Sequence, residues 1–365
     1  MKIIIAVPDF TREAHLKKIL PGLLDKLIKK GARYKDIEIL IATGLHRQPT
    51  KKEVRNNLGR IAKRVRVSSH DYRNVFYAGR SKGNVPMYLD KKLKGADSII
   101  TIGVVEPHLY AGYSGGVKVL SIGLAGEKTI NATHHPRFLD HPGTRICSIK
   151  GNIFQGFIHE AASGLPITYS INIINNKNDG ILKVFEGRPE TCFKNAVRYS
   201  QKIFEKKIYR FIDAVICGIP AGKGVNIYQA SRIFNYVADT RSPVIKKESF
   251  VLVKAGLEEG FGKGLGERRF MKKILGMKDP DNLIDEIKKG GCLAGEHRAY
   301  MVAKALKKAR LGFISKRAYL YKNKGLPFLF FESLSEAKRY IRKNFKRPKI
   351  YYLKNAFTTI LTRTK

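Results

Sequence analysis

Polar side chains that could bind a ligand and transfer protons follow several apolar stretches of the sequence. Asp9 and Arg12 come after the first stretch, His46 after the second, and Glu106 and His108 after the third. Carboxylate, imidazole and guanidinium groups are suited to proton transfer and to carboxylate binding. Polar loops follow strands in any α/β protein, so each residue alone is weak support for a site. The carboxyl ends of parallel strands meet at one sheet edge, and we therefore expect these side chains to converge there.

A glycine-rich segment over residues 107–118 is the densest group of such residues. Gly115 and Gly116 would let backbone N–H groups approach a phosphate, and Lys118 would add a positive charge. The segment is not a Walker loop, because Val117 separates the glycines from the lysine and no hydroxyl residue follows it. The alternative is a plain turn that leads into a helix.

The nine histidines are distributed unevenly, and His134, His135 and His141 share one short polar segment. The HxxxH and HExxH spacings are absent, and the adjacent His134 and His135 would point in different directions. At most one of this pair would bind a given metal, and His134 is a candidate ligand for zinc, nickel or copper. His46 and His108 are candidates for acid and base catalysis.

The elements that must position these residues follow from the pattern of the first half of the chain. Short apolar runs alternate with amphipathic stretches, which predicts a parallel sheet buried on both faces. Strands are predicted at residues 2–7, 37–42 and 98–105, and a helical stripe at residues 16–28. Thr50 and Glu53 form a capping box for the next helix. Residues 169–185 predict a hairpin whose turn is the cluster at residues 176–180.

A second α/β series begins after a boundary that we place near residues 200–210. A strand is predicted at residues 214–218, with the turn Gly222-Lys223-Gly224 after it. The later predicted elements are a helix at residues 228–237, a helix at residues 335–345 and a strand at residues 350–353.

Composition limits the class of protein. The chain has 365 residues, 43% of them hydrophobic, and 70 Lys and Arg against 30 Asp and Glu give a formal net charge of +40. This is a globular composition whose field would attract phosphates, acidic metabolites and nucleic acids without specificity. The four cysteines stand far apart without a CxxC motif, which fits a reducing compartment. No run of about 18 apolar residues occurs, so a cytoplasmic location without a membrane partner is predicted.

A set of motifs occurs here in the order and spacing of a known family. The motifs are Pro8-Asp9-Phe10-Thr11-Arg12, Ala42-Thr43-Gly44-Leu45-His46-Arg47, the segment from His108 to Lys118, Gly123-Leu124-Ala125-Gly126 with Thr129-Ile130, and His134. Together they resemble the nickel-dependent lactate racemase family, the nickel-pincer nucleotide racemases and epimerases. Residues 222–232 and 261–266 resemble the second-domain motifs of that family, so the resemblance covers nearly the whole chain.

The resemblance implies an α/β fold of two α/β domains with mostly parallel sheets and a cleft between them. Residues 1–205 would form the N-terminal catalytic and cofactor-binding domain, and residues 206–365 a C-terminal α/β domain that closes the substrate cleft. The implied cofactor is a nickel-pincer nucleotide, Ni(II) pyridinium-3,5-bisthiocarboxylic acid mononucleotide, attached covalently at Lys118, with His134 as the protein ligand of nickel. The other cofactor-binding residues that it implies are Asp9, Ser114, Gly115 and Gly116. Cofactor biosynthesis enzymes would be partners.

For catalysis, the resemblance implies that His46 and His108 are acid and base residues on opposite faces of a planar 2-oxo acid. Arg12 would hold the substrate carboxylate. The C–H bond at C2 of a 2-hydroxy acid is too weakly acidic for a histidine to ionise. The family is accordingly thought to move hydride to the cofactor, with one histidine taking the hydroxyl proton.

Tyr228, Gln229 and Arg232 occupy the substrate-binding places of the second domain in this resemblance. The lactate racemases have a lysine where this chain has Arg232. An arginine can fork onto a second carboxylate or a phosphate. The 2-hydroxy acid therefore stays open between lactate and a larger or more acidic acid.

Two alternatives stay open beside the racemase. One is a relative that binds the cofactor without racemising, and the other is a basic protein that binds polyanions such as nucleic acid. The presence of Arg12, His46, His108, Lys118 and His134 together favours the racemase. Lysines and arginines are spread over predicted helical faces without a recognisable nucleic-acid-binding module, so no specific nucleic acid partner is expected. The sequence sets no expectation for the oligomeric state.

Overall fold

The computed structural model describes residues 1–176 and 180–364, which cluster into two compact units. The first unit comprises Met1–Glu106, Tyr113–Thr133 and Ile149–Lys202. The second comprises Pro107–Gly112, His134–Ser148 and the chain from Ile203 onward. Two short early segments thus group with the later part of the chain. The roles expected for residues 1–205 and 206–365 stay predictions.

The secondary structure consists of strands and helices that alternate along most of the chain. The strands are β1 Ile3–Pro8, β2 Ile37–Ala42, β3 Arg66–Ser69, β4 Val75–Arg80, β5 Pro86–Asp90, β6 Ser98–Val104, β7 Pro107–His108, β8 Gly112–Tyr113, β9 Ile167–Asn175, β10 Ile181–Gly187, β11 Glu205–Ile208, β12 Ala214–Gly218, β13 Phe250–Lys254, β14 Arg310–Ile314, β15 Leu329–Phe331, β16 Ile350–Leu353 and β17 Ile360–Arg363. The helices are α1 Leu16–Lys29, α2 Lys51–Leu58, α3 Lys118–Ser121, α4 Glu127–Thr133, α5 Pro136–Leu139, α6 Ile153–Ala162, α7 Pro189–Phe204, α8 Ile227–Ala230, α9 Arg232–Ala238, α10 Leu265–Leu275, α11 Pro280–Gly290, α12 Glu296–Leu306 and α13 Leu334–Asn344.

The first unit is built on a six-stranded sheet in the order β10-β9-β6-β1-β2-β3. All neighbouring pairs are parallel except β9 and β10, which are antiparallel. Every residue of β1 and β2 is buried, as their unbroken apolar runs predict. The predicted strands and the antiparallel hairpin are confirmed, although residues 177–179 of its turn lie outside the described residues. The parallel strands end at one edge, where the loops after β1, β2 and β6 begin.

Local capping signals set where two helices begin. Thr50 is the N-cap of α2, and its hydroxyl accepts the Glu53 N–H at 3.2 Å while Glu53 Oε2 accepts the Thr50 N–H at 2.7 Å. The predicted capping box is therefore confirmed. Asn152 caps α6 in the same way, because its Oδ1 accepts the N–H groups of Phe154 and Gln155.

The second unit is built on a five-stranded parallel sheet in the order β15-β14-β13-β12-β16. The strands predicted at residues 214–218 and 350–353 and the last predicted helix, α13, are confirmed. The helix predicted at residues 228–237 is two short helices, α8 and α9, that meet at Ser231. The predicted α/β class with mostly parallel sheets is confirmed. None of the helices among the described residues is both long and apolar enough to cross a bilayer.

Candidate active site

Asp9 and His46 form a hydrogen-bonded pair in the loops that follow β1 and β2. His46 Nδ1 lies 2.7 Å from Asp9 Oδ2. Asp9 is 4% exposed, whereas the His46 side chain is 56% exposed. An ionised carboxylate only accepts hydrogen bonds, so in the neutral form of His46 the proton is on Nδ1 and the lone pair is on Nε2. The pair therefore has the composition of a general base.

The charge state of Asp9 follows from its neighbours. Burial alone would raise the pKa of this carboxyl group. The hydrogen bond and charge of His46, with smaller contributions from the Thr11 hydroxyl and the Arg12 charge, outweigh burial and lower the pKa below the usual 3.8. Thr11 Oγ1 donates to Asp9 Oδ1 at 2.6 Å, which fixes the carboxylate that orients the His46 ring.

Arg12 lies in the same loop as Asp9 and pairs with Glu106, which is the second residue after the end of β6. Arg12 Nη1 donates to Glu106 Oε1, and the two side chains are 23% and 16% exposed. The Arg12 N–H donates to the Asp9 carbonyl at 3.2 Å, which closes the loop. A guanidinium has five N–H donors and this ion pair uses one of them. Arg12, which is expected to hold the substrate carboxylate, thus already binds the carboxylate of Glu106. It has N–H donors left for a second carboxylate.

The Gly115-Gly116 turn packs tightly against the sheet of the first unit. Gly115 has a φ of +92°, and a β-carbon there would lie 2.5 Å from Val105 Cγ2. The Gly116 N–H donates to Asn172 Oδ1 at 2.7 Å. Glycine is required here for close approach of the turn to β6 and β9, and the Gly116 N–H already has a protein acceptor. Sequence analysis missed Asn172, whose signal is a polar residue inside the apolar run of β9.

Ser114 and Lys118 flank the turn. The Ser114 hydroxyl donates to the Val104 carbonyl at 2.7 Å, and the Ser114 N–H donates to the Glu106 carbonyl at 2.9 Å. These bonds hold the segment against the end of β6. Lys118, which is half-buried, begins α3, and its N–H donates to the Gly115 carbonyl at 3.3 Å.

A buried pair that sequence analysis did not single out, His70 and Asp90, links the end of β3 to the end of β5 and to the loop after α3. His70 Nδ1 lies 2.7 Å from Asp90 Oδ2 and Nε2 lies 3.0 Å from the Ala125 carbonyl, and both side chains are 0% exposed. The Gly44 N–H also donates to the Gly123 carbonyl at 2.8 Å. The loop that carries His46 is therefore fixed to the loop after α3. His70 and Asp90 are 20 residues apart, so no local sequence pattern indicates that they pair.

In the second unit, His108 has a hydrogen-bonding pattern opposite to that of His46. Its Nδ1 accepts the N–H groups of Tyr110 at 3.2 Å and Ala111 at 3.1 Å. A nitrogen that accepts two backbone donors carries no proton, so the neutral ring holds its proton on Nε2. The donor nitrogen of this half-buried imidazole is therefore Nε2.

His134 lies in an aromatic cluster of the second unit. The His134 ring centroid is 4.7 Å from that of His297 and 5.4 Å from that of Tyr110. Burial lowers the pKa of His297 well below its usual range, and the charges of His134, Arg298 and Arg232 lower it further. The Cys292 thiol donates to the His134 carbonyl at 3.4 Å. His297 was not predicted, because its position in an apolar helix resembles that of an ordinary core residue.

Tyr228, Gln229 and Arg232 lie together at the junction of α8 and α9. Arg232 Nη1 donates to Gln229 Oε1 at 3.3 Å, and Arg232 Cζ lies 5.2 Å from the centroid of the Phe357 ring. Burial raises the pKa of Tyr228 to about 12, so its phenol stays protonated near neutral pH. The structure thus groups the three residues expected to contact the substrate in the second domain.

The side chains present fit a cofactor that brings most of its own metal donors. Within residues 1–176 and 180–364, no group of three or more His, Cys, Asp or Glu side chains is arranged to hold a metal ion. A nucleotide that supplies sulfur and carbon donors needs a single further ligand, and the half-buried imidazole of His134 is a suitable nitrogen donor for nickel. The half-buried amine of Lys118 would provide the attachment point.

These features define a two-unit α/β protein with polar side chains at the carboxyl ends of a parallel sheet. The family model for the lactate racemase N-terminal domain matches residues 1–146. The lactate racemase of Thermoanaerobacterium thermosaccharolyticum is 27% identical over 292 residues, and that of Lactiplantibacillus plantarum is 28% identical over 300 residues. Each alignment covers 78% of this chain and 66% of the relative, so the chain spans just under two thirds of the length of these curated relatives.

Solved structures agree on the fold. The lactate racemase apoprotein from Thermoanaerobacterium thermosaccharolyticum matches with a TM-score of 0.88 at 23% identity, over 99% of this chain and 86% of that one. A protein from Thermotoga maritima matches with a TM-score of 0.78 at 15% identity, over 100% of this chain and 94% of that one. These matches confirm the resemblance to the lactate racemase family that the motifs predict.

Proposed function

We propose that this chain is a racemase or epimerase of a 2-hydroxy acid that uses a nickel-pincer nucleotide. The Asp9–His46 pair carries the proposal, because a buried carboxylate orients an exposed imidazole to take a proton at Nε2. Both curated relatives are named lactate racemase, which supports an isomerase of this class.

In this reaction the hydroxyl proton of the substrate passes to Nε2 of His46, and unused donors of Arg12 bind the substrate carboxylate. When bound, the nickel-pincer nucleotide would supply an acceptor for the C2 hydride. His46 returns the proton to the oxygen when the planar 2-oxo acid is reduced again. A positioned general base contributes about 10² to 10⁴ in rate. His108 is the proposed second proton-transfer residue.

Lys118 would carry the cofactor, Asp9, Ser114 and the Gly115-Gly116 turn would be further cofactor-binding residues, and His134 would bind nickel. Substrate contacts from the second unit would come from Tyr228, Gln229 and Arg232. The partners we propose are the small-molecule substrate and the cofactor biosynthesis enzymes. Nucleic acid would bind only through the general positive charge, and therefore with a steep salt dependence.

The test is production of the chain together with the cofactor biosynthesis enzymes, followed by intact mass, nickel content and racemisation of 2-hydroxy acids. We expect a nucleotide-sized covalent adduct and conversion of each pure enantiomer into the racemate. Lys118→Ala should lose the adduct, whereas the exposed control Lys150→Ala should keep it. His134→Ala should lose nickel while it stays folded, and His141→Ala should keep it.

Two results would contradict the proposal. A full complement of nickel in His134→Ala would remove the ligand assignment. An adduct-bearing, nickel-containing protein that leaves every 2-hydroxy acid of a broad panel unchanged would instead indicate a cofactor-binding relative without racemase activity.

A further inference from the structure

Both ring nitrogens of the buried His70 side chain face hydrogen-bond acceptors. Nδ1 lies 2.7 Å from Asp90 Oδ2, and Nε2 lies 3.0 Å from the Ala125 carbonyl oxygen. The bond to Ala125 requires a proton on Nε2, and the bond to Asp90 requires a second proton between Nδ1 and Oδ2. The other oxygen of Asp90, Oδ1, accepts the Lys92 N–H at 2.9 Å. The His70 ring is therefore held at both of its nitrogens, by a carboxylate that is itself held in place.

The ring partners of His70 belong to one buried stretch of structure. The Asp90 N–H donates to the Leu124 carbonyl at 2.9 Å, next to the Ala125 carbonyl that the His70 ring binds. Leu124 and Ala125 are both 0% exposed, so these carbonyl groups cannot exchange their bonds for bonds to water. The loop after α3 and the end of β5 thus form a single support for the ring.

The backbone carbonyl of His70 holds the loop that carries His46 at two points. Thr43 Oγ1 donates to this carbonyl at 3.2 Å, and Gln48 Nε2 donates to it as well. Thr43 lies three residues before His46, and Gln48 lies two residues after it. One carbonyl group therefore binds both ends of the loop, and the exposed His46 ring between them bonds to Asp9.

We propose that His70 is a positioning residue for proton transfer, because it holds the loop of residues 43–48 where His46 bonds to Asp9. It acts through His46 rather than on the substrate. The step that it serves rests on the proposed function, whereas the placement of the His46 ring does not. A displacement of a reacting group by about 1 Å costs on the order of 10²-fold in rate. Loss of the His70 bonds should therefore slow the chemical step.

Two variants separate the hydrogen bonds of the pair from its charge. His70→Phe keeps a planar ring of similar size and removes both ring hydrogen bonds. In Asp90→Asn the amide N–H₂ can donate to Nδ1 of a neutral His70 ring, whose Nε2 proton still serves the Ala125 carbonyl. The amide oxygen can accept the Lys92 N–H as the carboxylate does now. Asp90→Asn thus removes the charge and keeps every hydrogen bond of the ring.

The tautomer of His46 reports its placement without catalysis. Imidazole NMR spectra of the cofactor-free full chain with isotope-labelled histidine distinguish an Nδ1–H ring from an Nε2–H ring. The signal is assigned by its loss in His46→Gln. We expect neutral His46 to carry its proton on Nδ1 in the unmodified chain and in Asp90→Asn, as the bond to Asp9 requires. In His70→Phe the Nε2–H form should become the main one.

The kinetics of the loaded enzyme give a second readout, measured with the 2-hydroxy acid that it racemises fastest. In His70→Phe, kcat should fall about 10- to 100-fold while KM stays within about threefold. KM is preserved because the substrate carboxylate is assigned to Arg12, in the loop after β1. Asp90→Asn should keep kcat within about threefold of the unmodified enzyme, and so rescue what His70→Phe loses.

A control and a substitute variant complete the design. Asp71→Asn is the matched control, because the Asp71 carboxylate is 43% exposed and pairs with Arg73 at 3.2 Å. It should leave both the tautomer and kcat unchanged. If His70→Phe does not fold, Thr43→Val combined with Gln48→Ala removes the two loop bonds to the His70 carbonyl. This double variant should show the same change of tautomer.

An unchanged His46 tautomer in folded His70→Phe, or in the double variant if that is the one that folds, would overturn the proposal. A lower melting temperature with unchanged kcat would also overturn it, since His70 would then serve stability alone. Loss of the Nδ1–H form in Asp90→Asn would show that the charge, and not the hydrogen bonds, holds the loop, which contradicts the assignment. A changed tautomer in a loaded chain that racemises no 2-hydroxy acid would support the placement and contradict only the proposed function.

Discussion

Asp9→Asn is the substitution that tests the proton-transfer pair most directly. The carboxylate oxygen that now accepts the Nδ1 proton of His46 lies 2.7 Å away. An asparagine side chain of the same shape can present its amide N–H₂ there instead, which would force Nδ1 to accept and place the ring proton on Nε2. The ring would stay in position while its Nε2 lone pair, the proton acceptor, would be lost.

The expected cost follows from what this lone pair supplies. A positioned general base contributes about 10² to 10⁴ in rate. At about 1.36 kcal/mol for each factor of ten, Asp9→Asn should add about 2.7 to 5.4 kcal/mol to the barrier of the proton-transfer step. Thr11→Val removes only the hydroxyl that donates to Asp9 Oδ1 and leaves the carboxylate on His46. It should slow the step by less than about tenfold.

The assay is single-turnover formation of the 2-oxo acid from each pure enantiomer, normalised to the adduct measured by intact mass. C2-deuterated substrate reports whether C–H cleavage limits the rate. If Asp9→Asn forms 2-oxo acid from both enantiomers at rates within a few-fold of the unmodified enzyme, Asp9 does not set the tautomer of His46 and the mechanism is wrong.

A second readout of the same variant does not depend on activity. The pKa of Asp9 is lower in the folded chain than its usual 3.8. Its contribution to stability is therefore fully present above pH 3.8 and is lost as the pH falls through the folded-state value. The difference in unfolding free energy between the unmodified chain and Asp9→Asn should shrink over that acidic interval. An unchanged difference would contradict the lowered pKa.

Two further predictions concern packing and specificity. Gly115→Ala should destabilise the chain by about 2 to 5 kcal/mol in urea unfolding, because its φ of +92° and a valine methyl 2.5 Å from the new β-carbon disfavour any side chain. Gly156→Ala, inside α6 with no atom within 4 Å of the new carbon, should instead stabilise by about 0.5 to 1 kcal/mol. Arg232→Lys should shift relative kcat/KM toward lactate, and an unmodified chain that already prefers lactate over a broad panel of hydroxy acids would contradict this prediction.

Local physics explains which parts of the fold were predictable. β2 and β16 occupy the predicted residues, because an apolar run with polar ends specifies a buried strand. The capping box at Thr50 is likewise a local interaction between residues three apart. The hairpin of β4 and β5 was not predicted, since no residue of β4 is buried and the two strands show no strong apolar alternation. Grouping of residues 107–112 and 134–148 with the second unit depends on contacts distant in sequence.

The candidate site likewise has residues that the sequence predicts and contacts that it does not. Residues after strands were identifiable as chemistry-bearing, because strand ends can be located from apolar runs. Their partners were not identifiable, since Arg12 and Glu106 are 94 residues apart and Arg298 and Asn235 are 63 apart. A signal for Arg298 did exist. Residues 299–303 are apolar around the whole helix, which predicts a fully buried helix and therefore a buried arginine beside them.

The two candidate proton-transfer histidines differ in a way that their positions after strands conceal. In its neutral form His46 has its lone pair on Nε2, because its Nδ1–H donates to Asp9, whereas His108 accepts two backbone N–H groups at Nδ1 and holds its proton on Nε2. One ring is arranged to receive a proton and the other to donate a hydrogen bond to an oxygen. Enantiomers have equal free energies, so this difference cannot favour one enantiomer at equilibrium. It acts instead on the proton steps. In the proposed reaction Nε2 of His46 would take the hydroxyl proton, and Nε2 of His108, the second proton-transfer residue, would donate to the carbonyl oxygen of the planar 2-oxo acid.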